Sequence, residues 1–228
     1  MKLAWIRTGA ADDYDDAFQE AMASEYERQT AWTRMRLENV RLLVDPRPGD
    51  RILDVGSAAG AVTHFLSTFG CEVVGVDASE AGVARARERF PGLRFEAADA
   101  AALPFADGSF DKAVAADVTE HLDDATLRAA LAELHRVLVP GGTLSIHTPN
   151  PLHLVERLKA RNLILEQNPT HIGLRTGPEL RRELETAGFA VELDLRRPGF
   201  YPGLRLLERA AGARVELLGY RICLRARS

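Results

Sequence analysis

From Arg51 onward, short strand-like runs alternate with segments of helical periodicity, and that alternation constrains the fold more than any other feature. The runs are "RILDV" (51–55), "EVVGV" (72–76), "LRFEA" (93–97), "KAVAA" (112–116) and "TLSIHT" (143–148). The second to fourth are largely apolar, as strands covered on both faces must be. Between them, Val62, Phe65, Leu66 and Phe69 recur at helical spacing before Gly70, and Leu127, Leu131, Leu134 and Leu138 do so after the N-cap candidates Asp123 and Asp124. "VPGGT" (139–143) should end that helix and launch the fifth strand. Thr176 and Glu179 have the spacing of a capping box for a helix carrying Leu180 and Leu184 and ended by Gly188. "FAVELDL" (189–195) and "RVELLGYRICLRA" (214–226) alternate in period two, with a short helical pattern around Leu204 to Ala211 between them. The expected fold is α/β: a doubly wound, mostly parallel sheet with a C-terminal antiparallel strand pair and helices on both faces.

Two segments stand outside this alternation. Residues 1–45 form an N-terminal helical lid or substrate segment in this reading, with Tyr14, Phe18, Tyr26 and Trp32 as its aromatic face, although such a stripe also serves ordinary packing. Residues 46–228 form the main domain, with a lid-like insertion at about 150–175. Both would cover the carboxyl ends of the strands, where ligands bind in such sheets.

The net charge of −4 is unevenly spread, residues 151–228 holding 14 Lys/Arg against 9 Asp/Glu. Those arginines are interleaved with glutamates and form no concentrated basic patch, so no nucleic-acid partner is expected. No stretch reaches the length of apolar residues that a membrane span needs, which predicts a cytoplasmic protein without membrane contact. Cys71 and Cys223 are too far apart in sequence for a metal knuckle and are expected buried and reduced.

The turn "DVGSAAG" (54–60) joins the first strand to a helix, which by itself suggests only a nucleotide-like ligand. A dinucleotide fingerprint would want glycine at 58, and Ala58 stands there. Asp54 would repel a pyrophosphate docking on the helix N-terminus and suits a cationic group instead. Asp77 closes the second strand, 21 residues beyond Gly56, where a carboxylate accepts both hydrogen bonds of a ribose diol. Asp99 follows the third strand and could accept from an exocyclic amine. Each acid alone could be a turn residue. Three in register describe adenine, ribose and a cationic amino-acid tail, which together are S-adenosylmethionine.

Over Arg51 to Phe189 the sequence resembles the class I S-adenosylmethionine-dependent methyltransferases, a Rossmann-like family. The resemblance is carried by "ILDVGSAAG", "VVGVDAS", "AADAAALPFADGSFDKAVAADVTEHL", "ELHRVLVPGGTLSIHTPN" and "GPELRRELETAGFAV". It implies that Asp54, Gly56, Ser57, Ala58 and Gly60 hold the methionine end, Asp77 and Ala78 the ribose, and Asp99 and Ala100 the adenine. Ala116 and Asp117 would line the sulfonium. Ala58 departs from the family's G-x-G-x-G turn, and its methyl group narrows the approach. The resemblance implies methyl transfer to oxygen or nitrogen of a small-molecule acceptor by a monomer or homodimer.

In "DVTEHL" (117–122), Glu120 and His121 follow the fourth strand, and a histidine there has the pKa of a base near neutrality. His121 is the leading candidate base, with orientation of the loop as its alternative role. His171 is a second candidate, reaching over the cleft from the insertion. Asp117, Glu120 and His121 also have a spacing similar to the acid-x-x-acid-His of the ubiquinone-type O-methyltransferases, which bind a divalent cation. Asp117 stands where that subgroup has Glu, so a metal is the lesser expectation. Two other readings stay open: a nicotinamide oxidoreductase, which Asp54 disfavours, and a cofactor-binding regulatory or scaffold module without turnover.

Overall fold

The computed structural model describes residues 30–161, 168, 170–199 and 216–228. Seven strands form one sheet: β1 (Arg51–Val55), β2 (Glu72–Asp77), β3 (Arg94–Ala97), β4 (Phe110–Ala116), β5 (Leu138–Pro149), β6 (Ala190–Arg197) and β7 (Arg221–Arg227), in the order β3-β2-β1-β4-β5-β7-β6. β3 through β5 pair in parallel, and β7 runs antiparallel to both β5 and β6. The helices are α1 (Ala31–Val44), α2 (Ala61–Ser67), α3 (Glu80–Arg89), α4 (Asp124–Val137), α5 (Leu154–Lys159) and α6 (Gly177–Thr186).

Period-two side chains on β1 explain why the sheet is covered on both faces. Ile52 packs with Val40 and Val44 of α1 and with Val62 and Leu66 of α2. Leu53 and Val55 point the other way, into a core completed by Leu127, Leu131 and Leu134 of α4 and Leu180 and Leu184 of α6. Truncating a fully buried leucine such as Leu53 to alanine in a core of this kind costs about 2–5 kcal/mol.

Several helix ends follow the expected signals. Asp123 caps α4 by accepting the Thr126 N–H at 2.8 Å. Glu179 accepts from both the backbone N–H and the hydroxyl of Thr176, at 2.8 and 2.7 Å. Other boundaries differ. α2 stops at Ser67, short of Phe69, because the Ser67 and Thr68 hydroxyls donate to the carbonyls of His64 and Phe65 and compete with the helix ladder. β5 starts at Leu138 and absorbs "VPGG" as a bulge, the pairing with β4 jumping from Phe110↔Leu138 to Lys112↔Thr143. β7 starts at Arg221: Glu216–Leu218 is a 3-10 turn where alternation predicted strand. Asn150 bonds the carbonyls of Gly219 and Tyr220 and so anchors the chain as it enters β7.

Of the expected N-terminal lid, Tyr14, Phe18 and Tyr26 lie outside the described residues. Its remainder, α1, lies against the sheet with Val40 and Leu43 fully buried. The helical pattern around Leu204 to Ala211 also lies outside the described residues. Cys71 and Cys223 are buried free thiols.

Candidate active site

The carboxyl ends of the parallel strands open into a cleft of about 410 Å³, within the size range of small-molecule sites. One end of it is the turn after β1. The Gly56 and Ser57 N–H groups both donate to the Val76 carbonyl, at 2.8 and 2.9 Å, and so bind the turn to the end of β2. Gly56 has φ +71°, and a Cβ there would lie 2.3 Å from Val118 Cγ2. Ala58 takes the left-handed region at φ +46°, with its N–H donated to Asp77 Oδ2 at 2.8 Å. The other Asp77 oxygen accepts the Ser79 N–H at 2.9 Å. Burial pushes the Asp77 carboxyl above the ordinary range.

Gly56, Ser57, Ala58, Asp77, Ala78, Asp99 and Ala100 all line the cleft. Ser57 Oγ is buried in that wall and has no hydrogen-bond partner among the described residues. Asp99 is exposed at the rim and accepts the Ala101 N–H at 2.9 Å. Gly60 lies outside the cleft lining and donates its N–H to the Ser57 carbonyl at 2.8 Å. Asp54 also lies behind the wall, 1% exposed, accepting from the Thr63 hydroxyl at 2.7 Å, and burial raises its pKa to about 7. A narrow glycine approach, an orphaned hydroxyl and carboxylates at successive strand ends fit an adenosine bearing an amino-acid tail.

At the other end, Ala116 and Asp117 finish β4, and the chain folds into a 3-10 turn, Thr119–His121. Asp117 has φ +59° and turns its carboxylate inward to Arg36 Nε at 2.7 Å and Arg221 Nη1 at 2.8 Å, with His147 Nδ1 at 3.5 Å. Despite its burial, these partners hold the Asp117 carboxyl far below the ordinary range. Arg36 Nη2 also donates to the Ala116 carbonyl at 2.6 Å. Sequence reasoning missed Arg36, Asn39, His147 and Arg221. The available signal was polar: Thr33, Arg36, Val40 and Leu43 share one helical stripe, so a charge sits on the inward face of α1.

Glu120 is buried and accepts from the Thr148 hydroxyl at 2.9 Å. Desolvation, and then the Asp117 charge, push its pKa up to about 8. His121 Nδ1 lies 3.1 Å from the Thr170 carbonyl oxygen. A carbonyl only accepts, so this contact fixes the proton on Nδ1 and puts the ring lone pair on Nε2. Burial lowers the pKa of His121, and burial pushes that of His171 down to about 4. Their rings meet edge to face at 5.0 Å. The insertion fastens this turn in place: Gly173 N–H donates to the Glu120 carbonyl, and buried Arg175 donates to the carbonyls of Thr119 and Leu122.

The geometry groups the candidate metal ligands differently from the spacing. Asp117 is spent on Arg36 and Arg221, whereas Glu120, His121 and His171 bring ligand atoms within 4.8 Å of one another.

Comparisons with known proteins agree with the fold and the turn. A methyltransferase-domain family matches residues 52–142. The chain is 32% identical over 203 residues to a protein of Mycolicibacterium smegmatis named "Probable S-adenosylmethionine-dependent methyltransferase", covering 86% of this chain and 75% of that one. It is also 32% identical over 212 residues to the O-methyltransferase resE of Aspergillus sclerotiorum, covering 86% and 74%. A crystal structure of a SAM-dependent methyltransferase from Archaeoglobus fulgidus superimposes with a TM-score of 0.69 at 20% identity, covering 94% of this chain and all of that one, which shows the shared fold. The chain belongs to the S-adenosylmethionine-dependent methyltransferases, and its cofactor is S-adenosylmethionine. That family leaves no place for the nicotinamide reading.

Proposed function

We propose that this methyltransferase alkylates an oxygen or nitrogen of a small-molecule acceptor, with His121 as the base. The observation that carries the reading is the Thr170 carbonyl on His121 Nδ1, which leaves a neutral ring with its lone pair on Nε2 at the wall of the cleft. The resE relative, an O-methyltransferase, supports oxygen as the acceptor atom.

In this reading Asp77 and Ala78 hold the ribose, Asp99 and Ala100 the adenine, and Gly56, Ser57 and Ala58 the amino-acid end. Asp54 supports the turn from beneath. The bound cofactor supplies an electrophilic methyl group on a sulfonium. His121 Nε2 takes the acceptor's proton, and the resulting imidazolium is stabilised by the same Thr170 carbonyl. His171 stays neutral and serves as a hydrogen-bonding partner that orients the acceptor. Arg175 holds the turn that carries His121.

His121→Gln keeps a polar side chain of similar reach but removes the base. Turnover on the acceptor should fall by about 10²- to 10⁴-fold while S-adenosylhomocysteine affinity, read by calorimetry, stays within about threefold. A large loss of cofactor affinity would make His121 a structural support instead. A second reading, in which Glu120, His121 and His171 hold a divalent cation that acidifies the acceptor, is favoured by their 4.8 Å clustering. It predicts loss of turnover in EDTA with recovery on adding Zn²⁺ or Mn²⁺.

A further inference from the structure

Two guanidinium groups share one carboxylate at the acceptor end of the cleft. Arg36 and Arg221 both bond Asp117, and both line the cavity. Glu156 faces the same region and is engaged by Lys159 at 2.8 Å. His147 is fully buried, with its ring between Asn39 and Asp117. Glu120, beside them, accepts from the Thr148 hydroxyl at 2.9 Å.

An arginine cannot shed its charge by losing a proton, and a buried guanidinium N–H left without an acceptor is costly. Arg221 is 5% exposed, and its Nε is buried without a hydrogen-bond partner among the described residues. Its position separates it from the cofactor end. Arg221 is the first residue of β7, in register with Pro149 at the end of β5. β7 lies three strands from β1 and five from β3, so at roughly 4.8 Å per strand its backbone stands roughly 14 Å from the glycine turn.

We infer that Arg221, with Arg36 beside it, receives an anionic oxygen group of the methyl acceptor, a carboxylate or an ionised phenol or enol. The inference rests on the assignment of this end of the cleft to the acceptor. The planar fork of Arg221 spends Nη1 on Asp117, and its remaining N–H groups suit a second oxygen anion.

The test uses matched pairs, hydroxybenzoates, hydroxycinnamates and a short hydroxy acid, each against its own primary amide. They are titrated calorimetrically into the full-length protein with and without S-adenosylhomocysteine. At least one acid should bind about tenfold or more tighter than its amide, a preference that Arg221→Met abolishes while leaving the amide's affinity unchanged. Arg221→Lys, which keeps the charge and loses the fork, should retain part of it and serves if the methionine variant fails to fold. S-adenosylhomocysteine affinity should change by less than about threefold in either variant. No acid preference in any pair, or one that survives Arg221→Met, overturns the inference. A tenfold loss of S-adenosylhomocysteine affinity overturns it too, by giving the arginine to the cofactor's own carboxylate. Failure of the base assignment appears separately, as His121→Gln retaining turnover while the acid preference stands.

Discussion

Replacing Glu120 by glutamine should destabilise the protein at pH 6 relative to pH 8.5, by an amount the site predicts. Glutamine keeps an acceptor for the Thr148 hydroxyl, so the substitution removes ionisation with little change of shape. In the folded protein the Glu120 carboxyl titrates at about 8, against 4.5 for an unperturbed glutamate. The folded state therefore binds this proton more tightly than the unfolded chain. Its stabilising contribution is complete below 4.5 and fades as pH rises toward about 8. Integrated between pH 6 and pH 8.5, the loss is on the order of 2–3 kcal/mol. Asp117 is ionised at both values and cancels between wild type and variant. The buried histidines, whose lowered pKa values make wild-type stability rise with pH, also cancel. Urea denaturation of both proteins at the two pH values gives the difference directly. At a slope of about 3 kcal/mol/M, the variant's midpoint should gain about 0.8 M on the wild type between pH 6 and pH 8.5. A difference that does not change with pH would refute the argument and show Glu120 ionised in the folded protein.

Asp77→Asn leaves one acceptor where two backbone N–H groups converge, so S-adenosylhomocysteine affinity should fall by about ten- to a hundredfold in calorimetry; an unchanged value would remove Asp77 from the ribose role. Gly56→Ala drives a Cβ into Val118 at positive φ and should cost about 1–3 kcal/mol of stability in thermal unfolding, with cofactor binding lost; a stable variant that still binds would mean that the turn relaxes freely.

The glycine-turn end of the candidate site was legible because its signals are local. An apolar run that ends in an acid before a glycine or serine turn marks a strand end, as at Asp77 before Ser79, and Asp99 follows the next strand by two residues. The glycines and Ala58 lie in one short connection whose length and helix N-terminus define the turn. The acceptor half was not legible, because it is assembled across the sheet. Asp117 meets Arg221 over 104 residues of chain, and His147 reaches Asn39 over 108. Periodicity places Arg36 on the inward stripe of an amphipathic helix but does not say what it meets there. Spacing alone grouped Asp117 with Glu120 and His121, whereas in the fold the Asp117 carboxylate bonds Arg36 and Arg221, and His171 from the insertion comes within 4.8 Å of Glu120 and His121.

The insertion of β7 between β5 and β6 imposes an order on how the enzyme can be made. On the ribosome β6 is synthesised before β7, yet its pairing partner in the sheet is β7. The nascent chain therefore carries an unpaired β6 and an open β5 edge until the segment ending at Arg227 emerges, the kind of exposed edge that invites aggregation. Arg221 arrives with that segment, so a nascent chain with the glycine turn already folded still lacks the arginine at the acceptor end. Competence to recognise the acceptor is acquired only when the sheet closes.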